Sequence, residues 1–128
     1  MTKDFSQKIA ILTGDPNGIG TEITIKALNS LNLPLSRIVI ISNSKVLNTY
    51  GKFNQPYEII EIPYEGKITP GKISKEAGDF AFRALKKACE IKPQYIVTAP
   101  TSKEAMNLAG HTFSGQTEVL EHFLAHDG

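Results

Sequence analysis

The 128 residues include one cysteine and no tryptophan. A lone thiol, Cys89, cannot close an intramolecular disulfide or found a cysteine-rich zinc site, which excludes a stapled secreted scaffold and suits a reducing compartment. No apolar run is long enough to span a bilayer, so no membrane partner is expected. Charge of one sign is also missing: 14 basic residues face 13 acidic ones, for a formal net charge of +1. The lysines are scattered rather than aligned with aromatics, which argues against nucleic-acid binding and requires any anionic ligand to be held locally. Met1 to Lys8 lack the apolar stretch of a secretory signal, making the cytoplasm the expected location.

What is present is ordinary globular material, 41% hydrophobic and 21% charged, enough for one core. Lys8 to Gly14 (KIAILTG) and Arg37 to Ser42 (RIVIIS) read as strands buried on both faces. Between them, Ile19, Ile23, Ala27, Leu28 and Leu31 recur at helical spacing and predict a buried stripe. Ser44 is the expected cap of a short helix through Tyr50. Gly51 to Gly71 carry three prolines and one predicted strand, Tyr57 to Ile62. Ser74 is the expected cap of the clearest helix, with Ala77, Phe80, Ala81, Ala84, Leu85, Ala88 and Ile91 facing inward. Cys89 lies on its apolar side as a core or boundary thiol, while Lys75, Asp79, Arg83, Lys86 and Lys87 should meet water. Gln94 to Thr98 predict a further buried strand, Lys103 to Leu108 a short helix, and Thr117 to Ala125 the start of another. Alternating strands and helices indicate an α/β fold with a mainly parallel sheet and ligand loops beyond the carboxyl ends of its strands. No strand follows the last helix, so the expectation is an incomplete α/β domain.

Three loops carry unusual residues. Thr13-Gly14-Asp15-Pro16-Asn17-Gly18-Ile19-Gly20 joins a strand to a helix but matches neither the dinucleotide nor the P-loop spacing. It reads equally as a tight turn or a binding loop, with Asp15 orienting a ligand or capping the turn. Thr98-Ala99-Pro100-Thr101-Ser102-Lys103 offers hydroxyls and a cation suited to phosphate or carboxylate; alternatively Ser102 caps a helix and Lys103 is solvated. Gly110 to Glu118 (GHTFSGQTE) places Gln116 and Thr117 at a helix start, where capping and substrate hydrogen bonding are compatible. His111 reads as a loop residue rather than a base. His122 and His126 share a helix face, yet with no third ligand in view they read as surface residues.

Taken in order, ILTGDPNGIGTEI, IVTAPTSKEAMNLAG and FSGQTEVL resemble the amino-terminal part of the 4-hydroxythreonine-4-phosphate dehydrogenase family. The resemblance implies an isocitrate/isopropylmalate dehydrogenase-like fold and a homodimer with a shared active site. It implies oxidation of 4-phosphooxy-L-threonine with NAD or NADP, then decarboxylation to 3-amino-2-oxopropyl phosphate in pyridoxine 5'-phosphate synthesis. A divalent metal (Zn, Mg or Co) is implied, with histidine ligands downstream of Gly128 and none in this chain. The family's His-Thr substrate pair falls on Gln116 and Thr117, and Lys103 falls on a characteristic lysine, an expected active-site cation; Asp15 is a further candidate. Glutamine hydrogen-bonds but cannot carry a proton charge, which bears on substrate choice. The competing readings are a paralogue acting on another four-carbon phosphorylated hydroxy acid, a phosphate acyltransferase, and a fragment without turnover.

Overall fold

A computed structural model describes residues 3–127, with the backbone alone for 125–127. The elements in chain order are β1 (Ile9–Leu12), α1 (Gly20–Leu31), a 3-10 turn (Leu35–Arg37), β2 (Ile38–Ser42), α2 (Ser44–Tyr50), β3 (Glu58–Glu61), α3 (Lys75–Ile91), β4 (Tyr95–Thr98), α4 (Lys103–Leu108) and α5 (Gln116–Asp127). All strand pairs are parallel, in the order β3-β2-β1-β4. The expected parallel α/β architecture is therefore present.

Alternation along the strands divides the core. Ala10, Leu12, Val39 and Ile41 pack with Phe80 and Leu85 of α3, Met106 of α4 and Val119 of α5. Ile11, Ile38 and Ile40 point to the opposite face and pack with Leu28 of α1 and with Tyr57. Each Val, Leu, Ile, Phe or Met side chain among these taken from water contributes roughly 1.5–3 kcal/mol. The predicted inward stripe of α3 holds, and Cys89 is buried on it. The Ser74 side chain caps this helix by accepting the Ala77 N–H at 3.2 Å. Gly78 lets α4 approach closely, since a Cβ there would overlap the Ala105 carbonyl.

Three expectations are corrected. The cap of α2 is Asn43, whose side chain accepts the Lys45 and Val46 N–H groups, because the Ser44 hydroxyl donates instead to the Glu61 carboxylate. In α1 only Leu28 of the predicted stripe is buried; Gly20, Thr21, Thr24 and Ile25 supply the rest of the inner face. Close approach explains this, because a Cβ on Gly20 would overlap the Thr13 carbonyl and small residues must therefore face β1. β4, predicted to be a buried strand, lies at the edge of the sheet among the described residues: it pairs there with β1, and Tyr95 and Val97 are exposed.

Candidate active site

The chain runs from β1 through β2 to β3, then crosses back by α3 to place β4 on the other side of β1. The strand order therefore reverses between β1 and β4, and the crevice beyond the carboxyl ends of such a pair is where open α/β sheets take ligands. The loops leaving these two strands are the two glycine- and hydroxyl-rich segments of the sequence. They are knit together. Gly14 adopts φ +78, and a Cβ there would overlap the Pro100 carbonyl oxygen. The Asp15 N–H donates to that same oxygen at 3.2 Å. Gln116, at the start of α5, donates from Nε2 to the Ala99 carbonyl at 3.3 Å. All three motifs thus meet at Ala99-Pro100.

Asp15 is buried, and its Oδ1 accepts the Asn17 N–H at 2.7 Å. Burial pushes its carboxyl above the usual carboxylate range, only partly offset by the Asn17 hydrogen bond. Asn17 then latches the segment before α3, accepting from the Thr69 N–H at 2.8 Å and donating to the Lys72 carbonyl at 3.1 Å. A depression of about 290 Å³ is lined by Asp15, Asn17, Ile19, Lys72, Thr101 and Ser102. Asn17 and Lys72 also border a larger cleft of about 660 Å³ that reaches Tyr64, Glu76, Asp79 and Arg83. The roles of Asn17 and Lys72 as bridging residues were hidden in the sequence, because they arise from contacts between residues far apart along the chain. The only local hint for Asn17 was its place between Pro16 and Gly18.

Lys103 does not join this depression. It is exposed, follows the Ser102 cap, whose hydroxyl accepts the Ala105 N–H at 3.0 Å, and lines a separate hollow with Glu104, Asn107 and Leu108. Thr117 is exposed beside Gln116. The Gln116 Oε1 is buried without a hydrogen-bond partner among the described residues. His122 is exposed, as expected, while the side chain of His126 lies outside the described residues.

The expectation that the polar face of α3 meets water is corrected at Asp79, Arg83 and Lys87, all partly buried. Arg83 donates to Asp79 at 2.8 Å, and His111 Nε2 lies 2.9 Å from the other carboxylate oxygen. His111 is a loop residue, but a fixed one: its ring stacks on Phe82 with centroids 3.7 Å apart and planes 9° from parallel. Proline, glycine and hydrophobic spacing carried no signal for that pairing.

Among the described residues no three His, Cys, Asp or Glu side chains converge on a possible metal position. Of the three glycines of the first loop, Gly14 is packed against Pro100 and Gly20 against Thr13 and Ala99, while Gly18 lines the depression. With only one glycine open and no cluster of possible metal ligands, the described residues do not by themselves fit a metal or a whole nicotinamide dinucleotide.

A parallel sheet whose switch point gathers three polar motifs defines an α/β domain of the doubly wound class, with its candidate site at that switch point. Residues 7–128 match the family described as Pyridoxal phosphate biosynthetic protein PdxA, and the chain belongs to that family. The D-threonate 4-phosphate dehydrogenase of Salmonella typhimurium is 36% identical over 141 residues, covering 90% of this chain and 43% of the relative. The 4-hydroxythreonine-4-phosphate dehydrogenase of Campylobacter fetus is 36% identical over 122 residues, covering 88% of this chain and 39% of the relative. The crystal structure of the 4-hydroxythreonine-4-phosphate dehydrogenase of Klebsiella pneumoniae superposes with a TM-score of 0.79 at 32% identity, over 92% of this chain and 44% of that one. The chain thus spans less than half the length of these relatives.

Proposed function

We propose that this chain supplies the switch-point portion of the active site of a dehydrogenase acting on a phosphorylated hydroxy acid. The observation that carries the reading is the meeting of Gly14, Asp15 and Gln116 at Ala99-Pro100, between adjacent parallel strand ends. The particular reaction proposed is oxidation of 4-phosphooxy-L-threonine by NAD or NADP, followed by decarboxylation to 3-amino-2-oxopropyl phosphate on the way to pyridoxine 5'-phosphate. D-Threonate 4-phosphate is the second substrate to weigh, because the Salmonella relative named for it is as similar as the Campylobacter one. In this reading Gln116 and Thr117 hold substrate and Asp15 shapes the depression floor. Lys103 contributes positive charge only in an assembly that turns its hollow toward the substrate, such as the proposed homodimer. The nicotinamide and the divalent metal are held chiefly by residues outside those described.

The test is formation of reduced nicotinamide with each of the two substrates, NAD or NADP, and Mg or Zn. It is run on the chain alone and on a chimera in which the chain replaces the matched part of the Salmonella enzyme. Turnover by the chimera on either substrate is expected. A correctly folded chimera that turns over neither would remove the proposal.

A further inference from the structure

Lys103, the cation expected at the switch point, lies outside the depression there, yet the depression does hold a cation. Lys72 is the single Lys, Arg or His among the described residues that line it. It ends a tight turn, Thr69-Pro70-Gly71-Lys72, in which the Lys72 N–H donates to the Thr69 carbonyl at 3.0 Å and Gly71 adopts φ +84. Proline in the second place and glycine at positive φ in the third suit a type II turn. Asn17 clamps this turn at three points. Its Oδ1 accepts the Thr69 N–H at 2.8 Å, its carbonyl accepts the Gly71 N–H at 2.7 Å, and its Nδ2 donates to the Lys72 carbonyl at 3.1 Å. The backbone beneath Lys72 is therefore fixed against the loop that follows β1. The side chain is left over: it is exposed, and among the described residues neither a hydrogen bond nor an ion pair engages its ammonium. Asp15 lines the same depression, but its Oδ1 accepts from Asn17 and not from Lys72.

We infer that Lys72 binds the phosphate of the phosphorylated hydroxy acid, with the Thr101 and Ser102 hydroxyls of the loop after β4 as further donors. The identity of the acid rests on the proposed function; what is added is the group that holds its charged end. With a formal net charge of +1 the chain has no broad field to attract an anion, so a local cation must do so. A phosphate ester carries about −1.5 to −2 at neutral pH, against about −1 for a carboxylate, so one point charge attracts the phosphate more strongly. Lysine binds phosphate in this way, through three donors and without the flat bidentate fit of arginine. Ser102 Oγ accepts the Ala105 N–H, which leaves its own O–H free to donate. None of the hydrogen bonds that hold the turn uses the Lys72 side chain, so its charge is not spoken for by folding.

The test is calorimetric binding of 4-phosphooxy-L-threonine and D-threonate 4-phosphate to the chimera with the Salmonella remainder, carrying Lys72, Lys72→Met or Lys72→Arg. Inorganic phosphate is measured alongside, as a competitor of the esters. Lys72→Met is expected to weaken both the esters and inorganic phosphate about tenfold, with the loss shrinking at about 0.5 M salt and the melting temperature unchanged. Lys72→Arg should recover most of the affinity. Ester binding that is as tight in Lys72→Met as in the parent would overturn the inference. So would a loss confined to the esters, with inorganic phosphate unaffected, because the ammonium would then meet the carboxylate. Binding does not require turnover, which keeps the two claims apart: a chimera that binds the esters through Lys72 without oxidising them removes the proposed reaction alone, and one that oxidises them equally well without the Lys72 charge removes this inference alone. A folded chimera that binds neither ester removes both.

Discussion

His111 Nε2 lies 2.9 Å from Asp79 Oδ1, tying the loop ahead of α5 to the middle of α3, while Arg83 holds the other Asp79 oxygen at 2.8 Å. His111 lies between two glycines, Gly110 and Gly115, at which an added Cβ would meet nothing within 4 Å. His111 and the neighbouring Phe113, both against Phe82, therefore set the direction in which the chain enters α5 and presents Gln116 and Thr117.

Asp79 should make stability depend on acid. Burial raises its carboxyl, but hydrogen bonds and charge from His111 and Arg83 outweigh that and hold it below its ordinary value of 3.8. A depressed carboxylate adds stability that is complete above the unfolded value and is lost as pH falls through the folded one. Asp79→Asn is expected to cost roughly 0.5–1 kcal/mol at about pH 6, the range of a partly exposed pair. Urea unfolding at about pH 6 and about pH 3 should show the difference between the proteins shrinking at the lower pH. A difference that is constant or larger in acid contradicts the assignment.

Asp15 carries the opposite sign. Its carboxyl is raised by burial from the ordinary value of 3.8, so ionisation opposes folding above the folded value and that cost disappears as pH falls below the ordinary one. Asp15→Asn keeps an acceptor for the Asn17 N–H and should raise the melting temperature near neutral pH by a few degrees. The gain should vanish in acid, at about pH 3. A stabilising loss of charge in a depression at the switch point is the usual signature of a residue kept for function. The same variant in the chimera is expected to turn over more slowly despite melting later.

Gly78 tests the helix contact that positions the second motif. Its α-carbon faces the backbone of Ala105, and an added methyl group would overlap the carbonyl there. Backbone of a packed helix cannot yield as a side chain tip can, so Gly78→Ala should cost about 1–3 kcal/mol, the range for overpacking. The gain in helix propensity, about 1 kcal/mol, is included in that net figure. Denaturant midpoints measure it, and a stabilised variant would mean that α4 is free to move off α3.

The fold was legible where one physical signal dominated. Isoleucine-rich runs ended by glycine or a polar turn marked β1 and β2, and the long apolar row of α3 marked its inner face. The sequence misled at α1 because close approach to β1 selects Gly20, Thr21 and Thr24, residues that hydrophobic spacing does not count. At the site, Asp15 and Gln116 were recognisable from motif order, and the structure brings them to the same two residues. Lys103 had two readings, and the structure matches the one in which Ser102 caps α4 and Lys103 is solvated; that it lines a separate hollow with Asn107 and Leu108 depends on how the helix packs and was not readable locally. Asn17, Lys72 and the Asp79–His111 pair depend on long-range packing and left only faint local traces.

Gln116 and Thr117 separate a folding role from a binding one. Gln116 gains a single long hydrogen bond to Ala99, while its Oε1 is buried with no partner among the described residues. Leaving such an acceptor unsatisfied costs about 1–3 kcal/mol, which offsets the roughly 0.5–1.5 kcal/mol that the one bond to Ala99 returns. Gln116→Leu should therefore change unfolding free energy by less than about 0.5 kcal/mol. Thr117, exposed on the first turn, should be as tolerant of Thr117→Ala. In the chimera both substitutions are expected to raise KM for the phosphorylated acid by roughly fivefold or more and to leave KM for the nucleotide within about twofold, because only the acid is proposed to touch these side chains. If Gln116→Leu unfolds the protein, the side chain is a structural strut and its role at the substrate falls. If the nucleotide KM moves instead, the α5 start belongs to the cofactor and not to the acid.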